Sequence, residues 1–136
     1  MIFDSNVVID MLGNRAPDYF HQRIADLGAA SDLFVNEIIF AEISGNYGSA
    51  QDVADLFEGF GLKIVRLSLP DCHRAGTAYR QYRRNGGVRT SILPDFLIGA
   101  QAANRGWPIV TRDRKGFATY FPEVDLIDPY IDTSKA

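Results

Sequence analysis

Five short apolar runs punctuate this chain: Met1 to Asp4, Leu33 to Val35, Leu62 to Leu67, Pro108 to Thr111 and Val124 to Ile127. Each is too brief for a helix, and each is separated from the next by a stretch with helical periodicity or capping signals. Strands that alternate with helices cannot close as tight hairpins. They need crossover connections and therefore a parallel sheet. The expected fold class is α/β, with a central parallel sheet covered by helices on both faces.

The intervening segments carry the signals helices need. Val7, Val8, Met11 and Leu12 recur at helical spacing, and Gly13-Asn14 ends the run. A second helix is expected from about Ala16 to Leu27. Asn36 is placed to cap a helix running to about Gly45, and Ser49 to cap another from Gln51 to Phe60. Pro70 opens a long helix that stops near Gly86-Gly87, and Pro94 starts one from Asp95 to about Asn104, closed by Gly106. Without linker, repeat or low-complexity tract, residues 1 to 136 are expected to form one domain, with 46% hydrophobic residues to fill its core.

Several classes are excluded or disfavoured. No run approaches the ~18 to 20 apolar residues of a membrane span. The start Met1-Ile2-Phe3-Asp4 lacks the basic and hydrophobic regions of a signal peptide, so a soluble, cytoplasmic protein is expected. Cys72 is the only cysteine, which excludes an intrachain disulfide and a cysteine zinc cluster. His21 and His73 have no partners at ligand spacing. The net charge of −3 conceals an asymmetry. Residues 73 to 115 hold nine of the fourteen basic residues against two acids, Asp95 and Asp113, while the remainder holds five against fifteen. A polyanionic partner on one side is the functional reading, and a solvated helix face is the alternative.

Four acids stand out by position. Asp4 follows Ile2-Phe3 at the end of the first strand, and Asp113 lies just past Ile109-Val110-Thr111. Ligands of open parallel sheets bind beyond the carboxyl ends of the strands, so these two are candidates for one site. Asp95 sits in the first turn of an apolar helix, where complementing the helix dipole would suffice to explain it. It also shares a stripe of small residues with Gly99, Ala102 and Gly106, which would let the helix approach the sheet and point Asp95 inward. Glu42 lies within Ile38-Ile39-Phe40-Ala41-Glu42-Ile43, where burial would demand a partner or a metal, unless it faces solvent. Carboxylates gathered together repel one another and need a hard cation with oxygen ligands, such as Mg²⁺ or Mn²⁺. Such an ion can activate water and stabilise charge on a phosphodiester.

Four segments in order, Ile2 to Asp10, Ala41-Glu42-Ile43, Ile92 to Ala100, and Ile109-Val110-Thr111-Arg112-Asp113, resemble the PIN-domain family, and within it the VapC-type toxins of bacterial toxin–antitoxin pairs. The resemblance covers nearly the whole chain. It implies a three-layer α/β/α sandwich and a metal-binding quartet of Asp4, Glu42, Asp95 and Asp113, with Asp4 and Asp95 the firmest ligands. Thr111 would be the hydroxyl that orients an acid or the attacking water, and Asn6 would support the centre from outside. The implied activity is Mg²⁺-dependent endoribonuclease cleavage of RNA through a metal-activated water. A homodimer and a cognate antitoxin, whose C-terminal segment covers the site, are implied as well.

Arg89, Arg112 and Arg114, near the acids, are candidates for contact with RNA phosphates, while Arg80, Arg83 and Arg84 divide between that role and solubility. Trp107, Tyr79 and Tyr82 are expected in core or dimer packing rather than base stacking, and Phe117, Tyr120 and Phe121 in packing. Two other functions remain open. A catalytically silent PIN scaffold would keep the fold as a binding partner. A phosphatase or receiver-like domain would place an acidic site over a parallel sheet, but the Asp-x-Asp pair of such phosphatases is missing, since Asp4 is followed by Ser5-Asn6.

Overall fold

The strands Ile2–Phe3 (β1), Leu33–Val35 (β2), Leu62–Ile64 (β3), Ile109–Val110 (β4) and Leu126–Ile127 (β5) form one sheet in the order β3-β2-β1-β4-β5. All its pairings are parallel. This computed structural model describes residues 1–13, 15–89 and 91–132; Asn14, expected to help end the first helix, lies outside them. Central β1 pairs Ile2 with Phe34 on one side and with Ile109 on the other. Ile2, Phe3, Ile109 and Val110 have no exposed surface, as expected for strands covered on both faces.

Seven helices among the described residues flank the sheet, giving the three-layer α/β/α arrangement: Ser5–Leu12 (α1), Asp18–Ala30 (α2), Glu37–Ser44 (α3), Ala50–Gly59 (α4), Leu69–Arg84 (α5), Leu93–Arg105 (α6) and Arg114–Ala118 (α7). No helix among the described residues is long and apolar enough to cross a membrane. The caps fall where the sequence puts them. Asn36 Oδ1 accepts from the Ile38 and Ile39 amides, Ser49 Oγ from the Asp52 amide, and Gly106, at φ 68°, ends α6 in the left-handed region.

Three features differ from expectation. Strand β3 ends at Ile64 instead of Leu67. Val65 N still reaches Val35 O, but the buried Gln101 side chain then takes the Val65 carbonyl at 3.0 Å, and Glu37 takes the Leu67 amide at 2.7 Å. The same Gln101 accepts from Asn36 Nδ2 at 2.9 Å, so one amide locks α6 to the end of β2 and the exit of β3. Helix α7 was not anticipated; the Asp113 side chain caps it by accepting from the Gly116 amide at 3.2 Å. The small residues of α6 also serve other contacts than close approach to the sheet. Gly99 faces the Phe121 ring, where a Cβ would come within 2.4 Å, and Gly106 supplies the left-handed cap.

Candidate acidic centre beyond β1 and β4

From central β1 the chain turns towards β2, and from β4 it turns the other way to β5. The strand order therefore reverses between β1 and β4, and connections diverging from such a point leave a crevice at the carboxyl ends of the strands. Asp4 leaves β1 at that crevice, and Thr111 and Asp113 leave β4. Sequence separation is no obstacle here, because the Asp4 amide bonds to the Val110 carbonyl at 3.0 Å and draws both strand ends together.

Asp4 is 4% exposed and has two local duties. Its side chain caps α1 by accepting from the Ser5 amide at 2.8 Å. Its other oxygen accepts from Thr111 Oγ1 at 2.8 Å and from Asn6 Nδ2 at 3.3 Å. Thr111 Oγ1 in turn accepts from the Asp113 amide at 2.9 Å. The hydroxyl thus accepts from a backbone donor and gives its own proton to Asp4.

Asp95, in the first turn of α6, and Glu42, on α3, approach from the helices. Burial, then the charges of Asp4, Asp113 and Glu42, push the Asp95 carboxyl up to about 6, with Arg89 opposing the shift. Burial, opposed by bonds from Thr111 and Ser5, also holds Asp4 above the ordinary carboxylate range, with Asp113 adding repulsion. Glu42 is raised by loss of water around its carboxyl and by the charge of Asp4, although the residue as a whole is exposed. The four acids thus share one electrostatic environment.

The donor set fits a hard cation. It is composed of oxygens, its carboxylates repel one another, and Asn6 Oδ1 is a buried oxygen with no partner among the described residues. Among the described residues no group of three or more acid, His or Cys side chains is already drawn up around one point. An ion resting on one or two carboxylates with water completing its shell, the habit of Mg²⁺, matches that spacing.

The arginines divide. Arg89 stands close enough to Asp95 to act on its charge. Arg112 is turned to Asp10 at 3.4 Å and lies over the Tyr130 ring, its charge still reaching Asp4. Arg114 is exposed at the start of α7. Sequence reading missed Asp10 and Tyr130, whose hydroxyl donates to Asp10. Partners this far apart in sequence leave no spacing signal. It also missed that Tyr82 and Tyr120 line a cleft beside Asp113. Base stacking is the lesser of the two sequence readings for Tyr82, and packing is the one reading for Tyr120.

The sequence matches the PIN domain family over residues 1–121. None of the curated proteins matches it. Among solved structures the chain is similar to DNA-bound VapBC from Salmonella typhimurium, with 22% identity and TM-score 0.72 over 94% of this chain and 96% of that one. It is similar to VapBC-1 from nontypeable Haemophilus influenzae, with 20% identity and TM-score 0.73 over 96% and 100%. It is also similar to FitAcB from Neisseria gonorrhoeae, with 19% identity and TM-score 0.62 over 95% and 97%. At these identities the likeness establishes the fold.

Proposed function

This chain belongs to the PIN domain family, a family of nucleases, and on that premise we propose that it is a Mg²⁺-dependent endoribonuclease and the toxin of a toxin–antitoxin pair. The observation that carries the reading is the link Asp4–Thr111–Asp113 across the reversal of strand order, with Asp95 and Glu42 within electrostatic reach of Asp4. Asp4 and Asp95 would be the principal metal ligands, with Glu42 and Asp113 completing the acidic set. Mn²⁺ would serve in place of Mg²⁺.

The bound cation would supply Lewis-acid stabilisation of phosphoryl charge and a lower pKa for water. The chain's own part is positional. Thr111 holds one Asp4 oxygen in a fixed direction, and the Ser5 amide holds the other. Arg89 offers a cation to a substrate phosphate, with Arg112 and Arg114 flanking Asp113. The buried centre excludes water from Asp4, which strengthens each of these interactions.

The VapBC and FitAcB neighbours support a cognate antitoxin as partner; an RNA substrate, a homodimeric state and a cytoplasmic setting are further parts of the proposal. The test is induced expression of the wild type and of Asp95→Ala, with RNA cleavage by the purified, antitoxin-free proteins in Mg²⁺, Mn²⁺ and chelator. Growth arrest and metal-dependent cleavage that both disappear with Asp95→Ala are expected. If neither protein cleaves RNA and calorimetry detects no divalent-cation binding, the chain is a silent PIN scaffold.

A further inference from the structure

A cleft of 490 Å³ opens beside the acidic centre and reaches it through Asp113, a size within the usual range for ligand pockets. Its apolar side is built from Tyr82, Phe96 and Tyr120, with ring centroids 5.7 Å (Tyr82–Phe96), 6.0 Å (Tyr82–Tyr120) and 5.2 Å (Phe96–Tyr120) apart. The rings are held in place. Tyr82 Oη accepts from the Arg89 amide at 3.0 Å, and Gly87 lies so close to the Tyr82 ring that a Cβ would come within 2.4 Å. Tyr120 Oη accepts from Asn85 Nδ2 at 3.4 Å. The polar side carries the exposed cations Arg89 and Lys115, and neither is in an ion pair among the described residues.

Core packing accounts for the whole of Phe96, which is 1% exposed, whereas Tyr82 and Tyr120 pack against the core on one side and remain part-exposed on the other, beside two cations that form no ion pair among the described residues. A planar apolar group flanked by anions meets that combination, because aromatic side chains stack on any base while cations hold the adjoining phosphates. We propose that this cleft is the subsite for a nucleobase next to the scissile phosphate, with the base against Tyr120 and Tyr82 and the flanking phosphates at Arg89 and Lys115. The proposal rests on the ribonuclease reading and adds to it the part of the substrate that is gripped. It also couples the grip to the chemistry, because the loop bearing Arg89 is tethered to the Tyr82 hydroxyl and Asp113 borders both spaces.

The test measures fluorescence-anisotropy binding of labelled single-stranded oligoribonucleotides to the Asp95→Asn protein, alone and with Tyr120→Leu, Tyr120→Phe or Lys115→Gln added. Each oligonucleotide is compared with versions carrying one abasic nucleotide. Tyr120→Leu, which keeps apolar volume, is expected to weaken binding of the intact RNA about tenfold and to abolish the penalty for an abasic position. Tyr120→Phe should bind like the parent. Lys115→Gln should weaken intact and abasic RNA alike and lower the salt slope by about one. Unchanged binding of intact RNA by a folded Tyr120→Leu protein overturns the proposal. Unchanged RNA binding with weakened capture of the antitoxin would assign the cleft to that partner and overturn it equally. Cleavage by the protein carrying Asp95, assayed in parallel, keeps the two readings apart. Abasic-sensitive binding without cleavage removes the ribonuclease and leaves the subsite, while cleavage indifferent to Tyr120→Leu removes the subsite and leaves the ribonuclease.

Discussion

The Thr111 hydroxyl donates to Asp4 Oδ2 at 2.8 Å and receives the Asp113 amide at 2.9 Å, so a single side-chain oxygen joins the ends of two adjacent parallel strands. Replacing it with Thr111→Val preserves shape and leaves a buried carboxylate oxygen and a backbone donor short of a partner. The expected loss is about 1–3 kcal/mol of stability and about ten- to a hundredfold in RNA cleavage, as for other residues that orient metal ligands. Thr111→Ser should recover most of both. Thermal unfolding and single-turnover cleavage check the pair.

Asp95→Asn separates stability from activity. The substitution removes a charge repelled by Asp4, Asp113 and Glu42. In chelator at pH 7.5 the variant should be as stable as the wild type or slightly more so, while its cleavage falls by at least about a hundredfold. Melting curves and cleavage rates on the same preparation decide it. A clear loss of stability would mean that Asp95 is held by favourable contacts and not by repulsion.

The metal-free protein should lose stability as pH rises. Burial and neighbouring carboxylates raise the folded-state pKa of Asp95 to about 6, above its value in an unfolded chain. The folded state therefore binds that proton more tightly. The stability so contributed is full below the ordinary carboxylate pKa of about 4 and disappears as pH passes through about 6. Unfolding in chelator across this window should show the fall, and Mg²⁺ added at pH 7.5 should reverse it.

Asp71 provides a control acid away from the centre. It is 1% exposed and accepts from the Ser68 amide at 2.9 Å, from Asn104 at 2.9 Å and from Arg105 at 2.8 Å. These partners outweigh its burial and hold the carboxyl below the ordinary range. Asp71→Ala leaves the Arg105 charge uncompensated and should cost about 3 kcal/mol of stability. The specific activity of the folded fraction should not change.

Gly99→Ala tests how α6 is seated. A methyl group there meets the Phe121 ring, itself 1% exposed, so ring and helix must separate. The expected cost is about 1–3 kcal/mol, offset by up to about 1 kcal/mol of helix propensity. Because α6 carries Asp95, cleavage should fall with stability. A stabilised variant would show that Phe121 can yield.

Much of the fold is legible along the chain because its signals are local. Asn36, Ser49 and Gly106 act at the helix ends they mark, and the apolar pairs of the central strands β1 and β4 are buried as their composition requires. What escapes is set by long-range competition. Strand β3 stops where Gln101, from a distant helix, takes the Val65 carbonyl, and α7 exists because Asp113 turns to cap it. For the acidic centre, the strand-end positions of Asp4 and Asp113 follow from the apolar runs before them. The roles of Asp95 and Glu42 came from family resemblance, since a first-turn acid or an acid on an amphipathic helix has ordinary explanations.

Because Asp4 is at once the cap of α1 and the most enclosed acid of the centre, truncating its side chain removes both uses together. Losing its side chain frays the start of a helix as well as emptying the centre, whereas losing the Asp95 carboxylate relieves strain between charges. A population selected to survive this protein's activity would thus meet unequal routes to silence. Inactive alleles at position 95 would persist as folded, abundant molecules still able to occupy a partner, while those at position 4 would be thinned by degradation before they could act as decoys.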